Sequence, residues 1–180
     1  MSTIHAYIDA VSNELQRELK QNRPFAAPTQ EAAVSLMRTA DLMRRSIAAV
    51  VEPYDLTPQQ YNVLRILRGA GEHGLPTLEI AERMIEQTPG ITRLIDRLEL
   101  KQLVSRERSV TDRRQVFCRI TREGLALLTR LDEPIVEAEQ EALGVLSERQ
   151  LGQLLSLLDR ARNGLHAALE TRRNEQEEIA

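Results

Sequence analysis

The 180-residue sequence has no tryptophan, three tyrosines, two phenylalanines, one cysteine (Cys118) and no long apolar run. Each shortage excludes something. A single cysteine rules out an intramolecular disulfide framework and fits a reducing compartment. Without about 18 consecutive apolar residues there is no candidate transmembrane helix. The N-terminal stretch MSTIHAYIDAVSNELQREL is interrupted by Asp9 and Glu14 and has no basic start, so it does not read as a secretory signal. The cytoplasm is the expected compartment, with no membrane partner. His5, His73 and His166 lie in none of the usual metal-ligand spacings. Glycine-rich phosphate loops, His-Glu-x-x-His and nucleophile elbows are also missing. No metal, no cofactor and no enzymatic activity are expected.

What is present is charge, unevenly placed. Charged residues make up 28% and the net charge is −3. Between Arg83 and Arg122 ten Lys/Arg face five Asp/Glu, whereas from Asp132 onward five face eleven. A basic middle and an acidic C-terminal third give a directional field, with only the former suited to phosphates. A merely solvated charged surface would give the same counts.

The organising stretch is PTLEIAERMIEQTPGITRLIDRLELKQL, residues 76–103, which reads as two short helices around a break at Glu86-Gln87-Thr88. Thr77 is expected to cap the first helix, with Leu78, Ala81, Met84 and Ile85 inward. Thr88 is expected to cap the second, with Pro89 at its first position, where a missing N–H costs nothing. Ile91, Leu94, Ile95 and Leu98 then point inward. Gly90, Thr92, Arg93, Arg97 and Lys101 remain outward, small at the start and cationic along the length, which suits a DNA major groove.

Around this stretch the chain is mostly helical. Ile4, Tyr7, Ile8, Val11, Leu15 and Leu19 form an amphipathic stripe over residues 3–20, followed by a Pro24/Pro28 linker. Thr29 is expected to cap a helix running to about Val51, with Ala33, Leu36, Met37, Ala40, Met43, Ile47 and Val50 inward. Thr57-Pro58-Gln59-Gln60 is a capping box opening a third helix. After Leu103 the period becomes alternating, in Val104–Ser109 and again in Val116–Ile120, which predicts two strands joined by a polar tip. That is a wing. Its arginines suit the negative potential of a minor groove, and Asp112 can orient the Arg114 guanidinium.

The element order, the helix pair LEIAERMIEQTPGITRLIDRLELKQLVSRE and the wing SVTDRRQVFCRITREG resemble the MarR family of winged-helix transcriptional regulators, over residues 29–165. The resemblance implies a mostly α (α+β) winged helix-turn-helix with a two-stranded wing. It places recognition positions on Pro89, Gly90, Thr92 and Arg93, a minor-groove arginine at Arg114 oriented by Asp112, and a phosphate contact at Arg113. With Thr77, Thr88 and Arg97 these form the expected DNA-contacting set. The resemblance also implies a dimer built from the helix at 29–51 and the last two helices. Many members of the family bind small, often aromatic or phenolic carboxylate ligands in a crevice between the dimer helices and the winged domain. Near that region Arg38, Arg45, Tyr54 and Tyr61 are the candidate effector contacts, with Arg44 and Arg65 close in sequence. The competing assignment for each is a solvated or ion-paired side chain.

The C-terminal third supports a dimer by itself. Thr121 caps a helix carrying Leu125, Leu128, Leu131, Ile135, Ala138 and Ala142, with Pro134 expected to kink or break it. Ser147-Glu148-Arg149-Gln150 is a second capping box, before a helix with leucine on more than one stripe, from Leu151 to Leu169. Such a helix needs cover on two sides, which a second copy supplies. Two recognition helices about 34 Å apart would read half-sites of a palindrome. The expected division is an extension helix at 1–22, dimerisation helices at 29–52 and 122–171, a winged domain at 53–121 and a polar tail at 172–180. The expected function is a homodimeric, sequence-specific DNA-binding regulator, a repressor released by a small ligand. The alternative is a winged-helix adaptor that binds protein, which would need apolar anchors where the outward face has arginines. Cys118 in a wing strand is expected to be packed, not a redox sensor.

Overall fold

The computed structural model describes residues 14–87, 89–108 and 116–179. Residues 14–18 are helical and end at Lys20, whose φ is +53°. Then follow α1 (Pro28–Val51), a 3-10 turn Glu52–Tyr54, α2 (Pro58–Ala70), a 3-10 turn Gly71–His73, and β1 (Leu75–Pro76). The remaining elements are α3 (Thr77–Arg83), α4 (Ile91–Leu100), β2 (Val104–Arg108), β3 (Val116–Ile120), α5 (Arg122–Leu143) and α6 (Glu148–Ile179).

Local chemistry explains several boundaries. At α2 the Gln60 N–H donates to Thr57 Oγ1 (3.2 Å) while the Thr57 N–H donates to Gln60 Oε1 (3.1 Å), completing the expected capping box. At α5 the Gly124 N–H donates to Thr121 Oγ1 (3.0 Å), the expected cap. At α6 only half the box forms: the Ser147 N–H reaches Gln150 Oε1 (2.9 Å), and the Ser147 hydroxyl donates to that same oxygen. Thr29 is not a cap, because α1 starts one residue earlier on Pro28 with Ala27 in the extended N-cap position. Helix α5 continues through Pro134.

The sheet has three antiparallel strands in the order β1-β3-β2, one more than expected. Val104 pairs with Ile120 and Arg108 with Val116, making the wing hairpin, while Leu75 and Pro76 pair with Cys118 and Phe117. A two-residue strand carries too little alternation to be seen in a sequence, and its proline is tolerated because β1 is an edge.

The chain divides into two compact units, residues 1–134 and 135–180. In the first, Val51, Val63, Leu64 and Leu67 join Ile80, Ile95, Leu98, Val104, Leu128 and Leu131 as fully or almost fully buried side chains. The helix-turn-helix is therefore seated on α2. One expected face is corrected: Ile80 is the buried residue of α3, while Leu78 and Ile85 are 72% and 84% exposed. On α1, Ala33, Leu36, Met37 and Ala40 are exposed and Met43, Ile47 and Val50 only half-buried, so the described residues leave that stripe partly uncovered. In the second unit α6 has 32 residues, about 48 Å of helix. Its Leu155, Leu157, Leu165 and Leu169 are exposed. Among the described residues no helix is long and apolar enough to cross a membrane, and no three His, Cys, Asp or Glu side chains cluster for a metal.

Candidate nucleic-acid interface

Helix α4 is placed by what it buries. Ile95 and Leu98 are fully buried and Ile91 and Leu94 half-buried, the expected inward stripe. The helix opens two residues later than expected, because Gly90 is its N-cap and adopts φ +84°, ψ +36°, a left-handed conformation that glycine takes without penalty. Its carbonyl accepts from the Arg93 and Leu94 N–H groups at 2.9 and 3.3 Å. Pro89 lies in the turn before it, exposed with Gly90.

The other end closes with two bonds that wrap the last turn. The Gln102 N–H donates to the Glu99 carbonyl (2.8 Å) and the Leu103 N–H to the Leu98 carbonyl (3.0 Å), with Gln102 left-handed at φ +59°. This is a Schellman closure, with glutamine where glycine is usual. The Thr121 hydroxyl donates to the Gln102 carbonyl at 2.7 Å, tying the closure to the start of α5.

Outward, α4 presents Thr92, Arg93 and Arg97, all exposed. The Arg93 and Arg97 side chains form no ion pair or hydrogen bond among the described residues. Lys101, expected on the same face, turns aside: its ammonium bonds the Asp55 carbonyl and lies 2.8 Å from Asp55 Oδ2. Thr77 is the first residue of α3, with Pro76 as N-cap; its hydroxyl is half-buried, 3.8 Å from Cys118 Sγ, instead of capping the helix. Thr88, Asp112, Arg113 and Arg114 lie outside the described residues.

The acids of α4 are handled from the wing. Arg106, on β2 with its Cα opposite Cys118, donates to Asp96 Oδ1 at 2.5 Å and to the Thr92 carbonyl at 3.2 Å, with Glu99 Oε2 at 3.7 Å. Burial works against the Arg106 charge, but the bond to Asp96 and the fields of Asp96 and Glu99 outweigh it, and its pKa is raised. The sequence reading assigned Arg106 no role. The signal available was its alternation: it shares the inward side of β2 with Val104, where an arginine needs an anion.

The turn before α4 is held from below. The Ile85 N–H donates to Asn62 Oδ1 (2.9 Å), Gln59 Nε2 reaches Glu86 Oε2 (3.3 Å), and Arg44 Nε lies 3.7 Å from Glu86 Oε1. Cys118 is buried as expected. Burial pushes its thiol up, against smaller opposing contributions from the Thr77 hydroxyl and Arg106.

The four effector candidates are otherwise engaged. Arg38 Nε is 2.6 Å from Glu18 Oε1, and Arg45 Nε is 3.2 Å from Asp41 Oδ2. Tyr54 lies under the Arg130 guanidinium (5.7 Å) and buried Tyr61 under that of Arg65 (5.9 Å). A cleft of about 500 Å³ is lined instead by Glu52, Asp55, Thr57, Gln60, Arg97 and Lys101 with Leu56 and Leu100.

Known proteins share the fold that carries this face. The family model for the MarR family matches residues 56–116, which begin just before α2 and end at the start of β3. The HTH-type transcriptional regulator MhqR of Bacillus subtilis (strain 168) is 32% identical over 117 residues, spanning 65% of this chain and 78% of MhqR. A crystal structure of a MarR transcription factor from Planctomyces limnophilus is 41% identical, with a TM-score of 0.59 over 75% of this chain and 98% of that one. Sco3205 from Streptomyces coelicolor, a MarR family transcriptional regulator solved in complex with DNA, shares the fold at 24% identity, with a TM-score of 0.70 over 78% of this chain and 93% of its own. A helix-turn-helix seated on α2, followed directly by a wing and supported by relatives matched over most of their length, leads to one assignment: the chain belongs to the MarR family of winged-helix transcriptional regulators, and is not an enzyme.

Proposed function

We propose that the protein is a homodimeric repressor that reads a palindromic operator and is released by a small ligand. The observation that carries the DNA-reading part is the outward face of α4, where Arg93 and Arg97 stand exposed with no protein partner among the described residues while the neighbouring acids are turned toward Arg106. Free guanidinium forks on a groove-sized helix are what base edges and phosphates recruit. The DNA complex of Sco3205 supports the same use of the shared fold. Exposed apolar surface on α1 and on α6 supports a second copy as the missing cover.

In this reading the effector is an aromatic or phenolic carboxylate received near Arg38, Arg45, Tyr54 and Tyr61. Arg38 and Arg45 would first have to leave Glu18 and Asp41. Arg97, on the cleft, has no such competitor among the described residues.

The adaptor reading rests on Leu78 and Ile85, exposed on the same motif. Selection of duplexes from random DNA, followed by titration of the selected duplex at several salt concentrations, decides between them. A palindromic selected site and a steep fall of affinity with salt support the repressor reading. Failure to retain any duplex overturns it.

A further inference from the structure

We propose that Arg106 is a positioning residue for DNA reading: from the first wing strand it sets the rotation of α4 and draws that helix's two carboxylates away from the face that carries Arg93 and Arg97. The inference rests on the DNA-reading function proposed above and assigns a part of it to a residue outside the helix-turn-helix.

Arg106 donates to the Thr92 carbonyl and to Asp96 and forms an ion pair with Glu99; these residues are spaced by four and three and so form one stripe along two turns of α4. Arg93 and Arg97 form the adjacent stripe, one residue further round. A grip on the first stripe therefore fixes the angle at which the second is presented. That angle matters, because a recognition geometry tolerates only about 10–20° of misorientation.

The base of the grip is rigid. Arg106 sits at the centre of β2, which pairs with β3 along all five residues, and opposite the buried Cys118. Its own side chain is only 24% exposed, so it is committed to α4 and not spread into solvent. Charge follows the same logic. Residues 91–100 alone contain two arginines and two acids and carry no net charge; Arg106 adds the positive excess on the side away from the reading face.

The test compares wild type with Arg106→Gln, Asp96→Asn and Arg106→Lys, measuring Kd for a selected duplex and for a random duplex across a salt series, with thermal melts to confirm that folded proteins are compared. In Arg106→Gln the preference for the selected duplex should fall at least tenfold while the salt slope stays at the wild-type value. A slope reduced by about one unit, with equal weakening on both duplexes, would identify a direct phosphate contact and overturn the proposal.

Asp96→Asn separates position from charge. Removing an acid near DNA should tighten binding to both duplexes if the pair only balances charge, and that outcome overturns the proposal. Loss of preference supports it. Arg106→Lys retains the charge, but one ammonium does not span the three groups that the guanidinium reaches, so binding to random DNA should stay at the wild-type level while the preference is lost. Full recovery of preference also overturns it. If Arg106→Gln does not fold, the other two variants still decide. A wild type without salt-dependent DNA binding would overturn the proposed function itself, an outcome distinct from normal wild-type binding with indifferent variants.

Discussion

Gly74 lies so close to the backbone of Cys118 that a Cβ on it would stand 2.4 Å from the Cys118 carbonyl oxygen and 3.2 Å from the carbonyl carbon. The same glycine has φ +64° and ψ −172°, a region in which other residues are strained. This contact closes the sheet, because the next residue, Leu75, pairs with Cys118.

Gly74→Ala should therefore destabilise the fold by at least about 2 kcal/mol, combining backbone strain with a clash that no side chain can relieve. The expected loss in melting temperature is roughly 4–8 °C. An unchanged thermal melt would show that β1 can move away from β3 at no cost.

Gln102→Gly should act in the opposite direction. A left-handed non-glycine residue costs about 1–2 kcal/mol, part of which glycine returns in unfolded-chain entropy, so a gain of up to about 1 kcal/mol is expected. Urea denaturation measures it. The side chain is not needed for the closure, since both bonds that end α4 are made by backbone groups.

If Arg93 reads bases and Arg113 holds a phosphate, as the proposed function has it, Arg93→Ala and Arg113→Ala should fail differently. Loss of a base-reading guanidinium is expected to cost about 1–3 kcal/mol on the selected site and to relax preference at one position. Loss of a phosphate contact should weaken every sequence alike and lower the salt slope by about one unit. Titrations on matched and mutated duplexes distinguish the two.

Stability should fall on the alkaline side. Burial raises the Cys118 thiol above its ordinary 9.0 and the Tyr61 hydroxyl above its ordinary 10.0, so the folded chain holds protons that the unfolded chain gives up. The contribution is complete below pH 9 and is lost as pH rises through the raised folded values. Urea midpoints between pH 7 and 10.5 should show the decline, and Cys118→Ala should flatten its first part.

The fold was legible where the signal was local. The Thr57/Gln60 box and the Thr121 cap involve groups three residues apart, and both form as the sequence indicates. The phase of α4 was also legible, because ten residues give a hydrophobic stripe enough turns to fix its direction. The phase of α3 was not. Seven residues make barely two turns, and periodicity does not separate Ile80, which is buried, from Leu78 and Ile85, which are equally apolar and exposed. On α1 the stripe containing Leu36 and Met37 has inward periodicity but is exposed, because a stripe records only that something covers it, not what. The Arg106 grip needed the register between β2 and α4, a tertiary fact that strand alternation hints at without naming Asp96.

The bond from the Ile85 N–H to Asn62 Oδ1 gives the short turn ahead of α4 a clock. An amide beside so exposed a side chain would ordinarily exchange its hydrogen with water quickly; bonded to Asn62, it is expected to exchange when the turn lifts from α2. The Ile85 amide is thus a built-in reporter of that opening, readable by hydrogen exchange without DNA. Asn62→Ala, which removes the acceptor and leaves the buried stripe of α2 intact, supplies its zero.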